Sequence, residues 1–78
     1  MKADLLSKAA NRAKSKKNGV YSVDGVKYGV VNGRAIFFIE GNIIYQRVGN
    51  FVTAITGRYG FLSHALAGLK EIVKDRTK

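Results

Sequence analysis

The chain has 78 residues, with 14 Lys and Arg against 5 Asp and Glu and a formal net charge of +9, a length that holds one domain near the small end of what folds unaided. It has no cysteine, which excludes disulfide staples and thiolate metal sites; no apolar run approaches the ~18 residues of a membrane span, and the first residues lack the apolar core of a secretory signal. These features fit a cytoplasmic protein without integral membrane association, and the cationic surplus predicts attraction to a polyanion such as nucleic acid or an acidic protein surface.

Residues 3–17 read as a basic helix. Asp4 suits the cap or first turn, where the helix dipole favours a carboxylate. Leu6, Ala9, Ala10 and Ala13 recur at helical spacing and form a narrow face of small side chains. Leu5 and Leu6 are the only large apolar residues, so this helix is expected to be the least tightly held element. Lys8, Arg12 and Lys16 fall four residues apart and form a cationic stripe suited to phosphates. Asn18-Gly19 reads as the C-terminal cap. Six cations against one acid give the first 17 residues a local charge of +5, more than half of the whole surplus.

Residues 20–56 carry four two-residue turn signals: Asp24-Gly25, Asn32-Gly33, Gly41-Asn42 and Gly49-Asn50. Asn-Gly and Asp-Gly fit type I′ turns, which need positive φ at both central positions, and Gly-Asn suits the type II′ form. The runs between them predict a five-stranded antiparallel meander at about 20–23, 26–31, 34–40, 43–48 and 51–56. Two-residue loops pair their flanking residues, and paired residues share a face. Tyr28 is then expected opposite Phe37, Phe38 opposite Tyr45, and Val48 opposite Phe51. Carried across all strands, this parity puts Tyr21, Val23, Val26, Tyr28, Val30, Ala35, Phe37, Ile39 and Ile44 on one apolar core face. The other face mixes Lys27, Arg34 and Arg47 with Ile36, Phe38, Ile43 and Tyr45. Gly29, inside a strand, marks a bulge, a bend or a close backbone approach, and five short strands can coil toward a half-barrel.

Gly57-Arg58-Tyr59-Gly60 connects the last strand to a second helix. Arg58 and Tyr59 together can hold a phosphate and stack on a base. The Gly-x-x-Gly spacing is that of the backbone clamp in KH domains, but a strand precedes it here where that family has a helix. Residues 61–76 form an amphipathic helix in which Leu62, Ala65, Leu66, Leu69, Ile72 and Val73 make one apolar stripe. This helix is expected to cover the core face, with Ser63 as its cap and Phe61 packed outside it. The fold expected is therefore α+β, one helix at each end of a five-stranded antiparallel meander.

Catalytic signatures are sparse. One histidine, no cysteine and five scattered acids make neither a typical zinc site nor a carboxylate pair placed for acid–base work. No phosphate-binding loop with a Lys-Ser/Thr ending is present, and no cofactor is expected. A metal-free ribonuclease passes this filter, because RNA supplies its own 2′-hydroxyl nucleophile and needs only cations, an acid and a weak base. Arg34, Arg47, Tyr45, Arg58 and His64 would serve. In size, charge and element order the chain loosely resembles the RelE and barnase-like group of small basic ribonucleases, although no motif aligns with them residue by residue.

The leading expectation is a non-catalytic nucleic-acid-binding module. Its contacts would come from Lys8, Arg12 and Lys16 on the first helix, Lys27, Arg34, Phe38, Tyr45 and Arg47 on the sheet, and Arg58 and Tyr59 beyond it, with cations on phosphates and rings on bases. The alternative is a protein-interaction module, an inhibitor, adaptor or homodimer of phage or plasmid type, that meets an acidic surface or pairs through an edge strand.

Overall fold

A computed structural model describes residues 3–49 and 51–77, with side chains from Ser7 onward. Its elements are α1 (Ala3–Ala13), β1 (Gly19–Val23), β2 (Val26–Val31), β3 (Arg34–Glu40), β4 (Ile43–Val48), β5 (Phe51–Ala54) and α2 (Leu62–Arg76). The strands form one antiparallel sheet in the order β1-β2-β3-β4-β5. The α+β meander flanked by two helices is thus as the turn spacing implies. β1 and β5 do not pair with each other, so the sheet is open. The side chains of Asp4, Leu5 and Leu6, and all of Asn50, lie outside the described residues.

The corners are as tight as expected, and of the three described at both central positions one changes type; the type of the Gly49-Asn50 corner lies outside the described residues. Asp24 and Gly25, and Asn32 and Gly33, have positive φ at both central positions, as type I′ requires. Gly41 and Asn42 also have φ of 58° and 60°, which excludes the expected type II′ turn. Asn tolerates the left-handed region well enough to take the second position.

The face assignment needs a larger correction. β2 and β3 pair as Val31↔Arg34 and Val30↔Ala35, then as Gly29↔Phe37 and Tyr28↔Phe38. Ile36 is therefore an extra residue in β3, a bulge that reverses side-chain parity for the rest of that strand and for β4 and β5. Phe37, Ile39 and Ile44 leave the face that holds Tyr28 and Val30. Phe38 moves onto it.

The result is a sheet with two apolar faces and a helix on each. Ala9 and Ala13 of α1 pack with Val23, Tyr28, Val30, Ala35 and Phe38. Ala65, Leu69 and Val73 of α2 pack with Val31, Phe37, Ile39 and Ile44 on the opposite side. α1 seats only alanines among its described side chains, which lets its axis approach the aromatic rings closely. α2 comes closest at Gly29, where a Cβ would stand 2.7 Å from a Val73 methyl and 3.2 Å from Leu69. The strand glycine is thus a point of close approach, with the bulge immediately beside it.

Both helix ends differ from expectation. α1 stops at Ala13, four residues early, with Ser15 and Lys16 N–H groups bonding back to the Arg12 and Ala13 carbonyls. Asn18 does not cap it; its side-chain oxygen accepts the Asn32 N–H at 2.7 Å and ties the start of β1 to the β2–β3 turn. At α2 the N-cap is Phe61, and no side chain caps the helix. Phe61 instead sets its ring edge-on to His64.

Two substitutions test this packing. Gly29→Ala forces a methyl group into Val73, and overpacking of this kind costs about 1–3 kcal/mol. Urea unfolding should show that loss, and adding Val73→Ala should recover part of it. Tyr28 is fully buried, and its hydroxyl has no hydrogen-bond partner among the described residues. An unsatisfied buried hydroxyl is costly, so Tyr28→Phe should raise stability by ~1 kcal/mol in the same assay.

Candidate functional site

The meander places its turns at alternate ends. The Asp24-Gly25 and Gly41-Asn42 corners share one end of the sheet; the Asn32-Gly33 corner and the turn after Val48 share the other. α1 runs between them, with Lys8 at the first end and Lys14 at the second. At the second end Lys14, just beyond α1, and the beginning of β3 border a cleft of about 290 Å³.

Ala10 and Lys14 line that cleft from the α1 side, Gly33 and Arg34 from the β2–β3 corner, Ala35 and Ile36 from β3, and Arg47 and Gly49 from the β4–β5 corner. The bulged residue is thus part of the site as well as of the core. Arg47 is held in place, because its Nε donates to the Gly49 carbonyl at 3.2 Å. Lys14, Arg34 and Arg47 make no salt bridge with any described carboxylate. Three cationic residues without a described carboxylate partner thus line one partly apolar cleft and concentrate positive charge there.

Other cations are engaged within the molecule. Lys8 donates to Asp24 at 2.8 Å, both side chains about half exposed. That bond, with the Lys8 charge, holds the Asp24 carboxyl below its ordinary pKa. Lys16 stands 4.5 Å over the Tyr21 ring, and the Tyr21 hydroxyl donates to the Lys17 carbonyl. The stripe of Lys8, Arg12 and Lys16 therefore has two of its three members turned to the β1–β2 hairpin. Arg12 is exposed.

The expected sheet-face interface is divided. Phe38 is 1% exposed beneath α1, so it offers no ring to a ligand; the bulge is the reason. Tyr45 is half-buried beside it, two residues from Arg47 on the same face of β4. Lys27 lies near the opposite end of the sheet, facing the α2 side. Arg58 is exposed, but Tyr59 packs into the α2 cluster, with its N–H bonded to the Asn42 carbonyl at 2.8 Å. A Cβ at Gly68 would stand 2.5 Å from the Tyr59 hydroxyl, so this tyrosine is a packing residue. His64 lies in the first turn of α2. Arg34 pairs with Val31 of the cluster that α2 covers, whereas Tyr45 and Arg47 share the α1 side of the sheet, so these residues of the ribonuclease reading divide between the two sides.

Lys14 was not among the residues expected in a site. The signal was its position four residues after Ala10, which puts a cation one turn beyond a small residue on one helix face. A second, more open hollow of about 420 Å³ carries Lys70 and Lys74 beside Asn18 and Val20. Its two lysines are neighbours on one solvated helix face that also bears acids, whereas the cleft draws cations from three separated parts of the chain. Among the described residues no helix is long and apolar enough to cross a membrane, and no three His, Asp or Glu side chains cluster.

Compared with protein-family models, with curated proteins and with solved structures, the chain matches none.

The Lys8–Asp24 pair makes a checkable titration. Asp24 should titrate below the usual carboxylate range by NMR, and Lys8→Ala should return it to that range. The sign follows from the lowered folded-state pKa: the pair's contribution to stability is present above the ordinary value and is lost as pH falls through the lowered one.

Proposed function

We propose that the protein binds nucleic acid through phosphate contacts made at the cleft between α1 and the corners of the sheet. The observation that carries this reading is the meeting of Lys14, Arg34 and Arg47 around one cavity without a carboxylate partner among the described residues. A formal charge of +9 on 78 residues supplies the long-range attraction, and counterion release from the backbone supplies affinity. With Phe38 under α1 and Tyr45 half-buried, the sheet keeps only one, partly accessible, of the two rings expected to stack on a base. The binding is therefore of the positioning kind, with contacts to phosphate oxygens and little reading of base edges. Arg12, exposed on α1, extends the cationic surface beyond the cleft.

Labelled DNA and RNA oligomers, single- and double-stranded, test the reading by fluorescence anisotropy. Affinity should fall steeply between about 50 and 200 mM salt and change little with sequence. Lys14→Ala, Arg34→Ala and Arg47→Ala should each weaken binding to all sequences alike and lower the salt slope by about one. Lack of binding at the lower salt, or three variants that bind as the parent does, would defeat the proposal.

A further inference from the structure

The strand farthest from the helices has been left bare on three sides. Among the described residues neither α1 nor α2 touches β5, and all four of its residues are exposed. Phe51 is 76% exposed and Val48, its cross-strand partner, 60%. Val52 and Ile55 add exposed apolar surface on opposite faces. From Val48 to Gly57 the sequence contains no charged residue, in a chain that is 24% charged. Natural edge strands are commonly guarded by lysine, proline or a covering element. β1, the other edge, has Lys16 over Tyr21; among the described residues β5 has no lysine placed over it.

Its hydrogen-bonding pattern is also specific. Pairing runs Val48↔Phe51, Arg47↔Val52, Gln46↔Thr53 and Tyr45↔Ala54, and the Ile55 N–H reaches the Ile44 carbonyl at 2.9 Å. In an antiparallel ladder hydrogen-bonded and non-bonded pairs alternate. Phe51, Thr53 and Ile55 thus turn their main-chain groups toward β4, and Val52 and Ala54 turn theirs outward.

We infer that β5 is the seam of a homodimer, in which the β5 strands of two copies pair antiparallel about a two-fold axis at Thr53. This register is self-complementary on every count. Val52 of each copy meets Ala54 of the other, so outward-facing N–H and C=O groups satisfy one another. Phe51 meets Ile55 across the seam and Thr53 meets Thr53, pairings of aromatic with β-branched and of Thr with Thr that stabilise antiparallel sheets. The uncharged run is the place where two copies of a +9 chain can approach with least repulsion, which argues for a second copy over a charged partner. Paired residues share a face, so the axis stands perpendicular to the sheet. The dimer is a ten-stranded sheet with both α1 helices and both basic clefts on one side. The inference stands independently of the nucleic-acid reading.

A seam of five residues is smaller than the roughly 1,200 Å² of a standard interface, so the dimer is a weak one that concentration reveals. Sedimentation equilibrium on the full chain should show the mass rising from 8.5 kDa toward twice that value with concentration. The rise should strengthen with salt, which screens repulsion between copies; nucleic-acid binding responds in the opposite sense. Thr53→Lys alone and Thr53→Glu alone should remain monomeric, because each sets like charges across the axis. An equal mixture of the two should dimerise again. Circular dichroism checks that the variants fold, and Val52→Lys, which charges the other face of the seam, replaces either one that does not. A wild type that stays at monomer mass overturns the inference and opens the edge to a strand from another protein. A dimer unaffected by Thr53→Lys, or a mixture that stays monomeric, overturns it as well.

Discussion

The arrangement of this molecule depends on one extra residue in β3. Side chains alternate across a strand with a period of two, so an inserted residue exchanges the faces of everything beyond it. Ile36 is that residue. Without it, Tyr28, Phe37, Ile39 and Ile44 would crowd one side of the sheet and the other would keep a thin, partly charged surface. With it, each face receives an apolar set of its own, and each set has a helix to cover it. The two-sided core, the burial of Phe38 and part of the cleft wall all follow from that insertion.

The bulge stands next to the point where α2 presses hardest on the sheet. Gly29 leaves room for Val73 and Leu69, and the strand opposite Gly29 takes up the extra residue. Close approach and bulge therefore belong to one local adjustment between helix and sheet. α1 makes its own contact differently, through alanine methyl groups laid on aromatic rings. One helix is accommodated by a missing side chain in the sheet, the other by small side chains on the helix.

Much of the fold could be read from the chain because its signals are local. Four dipeptides set the corners, the runs between them set the strands, and the stripe from Leu62 to Val73 set α2. What could not be read depended on distant partners. Gly29 announced an irregularity, but its kind is decided by Val73, more than forty residues away. Asn18 looked like a helix cap until the Asn32 N–H, across the hairpin, claimed its side chain. The cationic stripe on α1 was visible as a pattern, yet Asp24 and Tyr21 take two of its members. Arg34 and Arg47 were recognised as charges of interest; their association with Lys14 at one cleft depends on where α1 seats on the sheet, which periodicity does not encode.

The order of the elements also shapes how the chain is made. α2 follows all five strands, so during synthesis the meander is complete before its second cover has emerged. In that interval Phe37, Ile39 and Ile44 would lie open to water and to other nascent chains, the kind of transient apolar exposure that draws chaperones and aggregation. Short local hairpins form within microseconds, so the sheet can be paired well before α2 is seated on it.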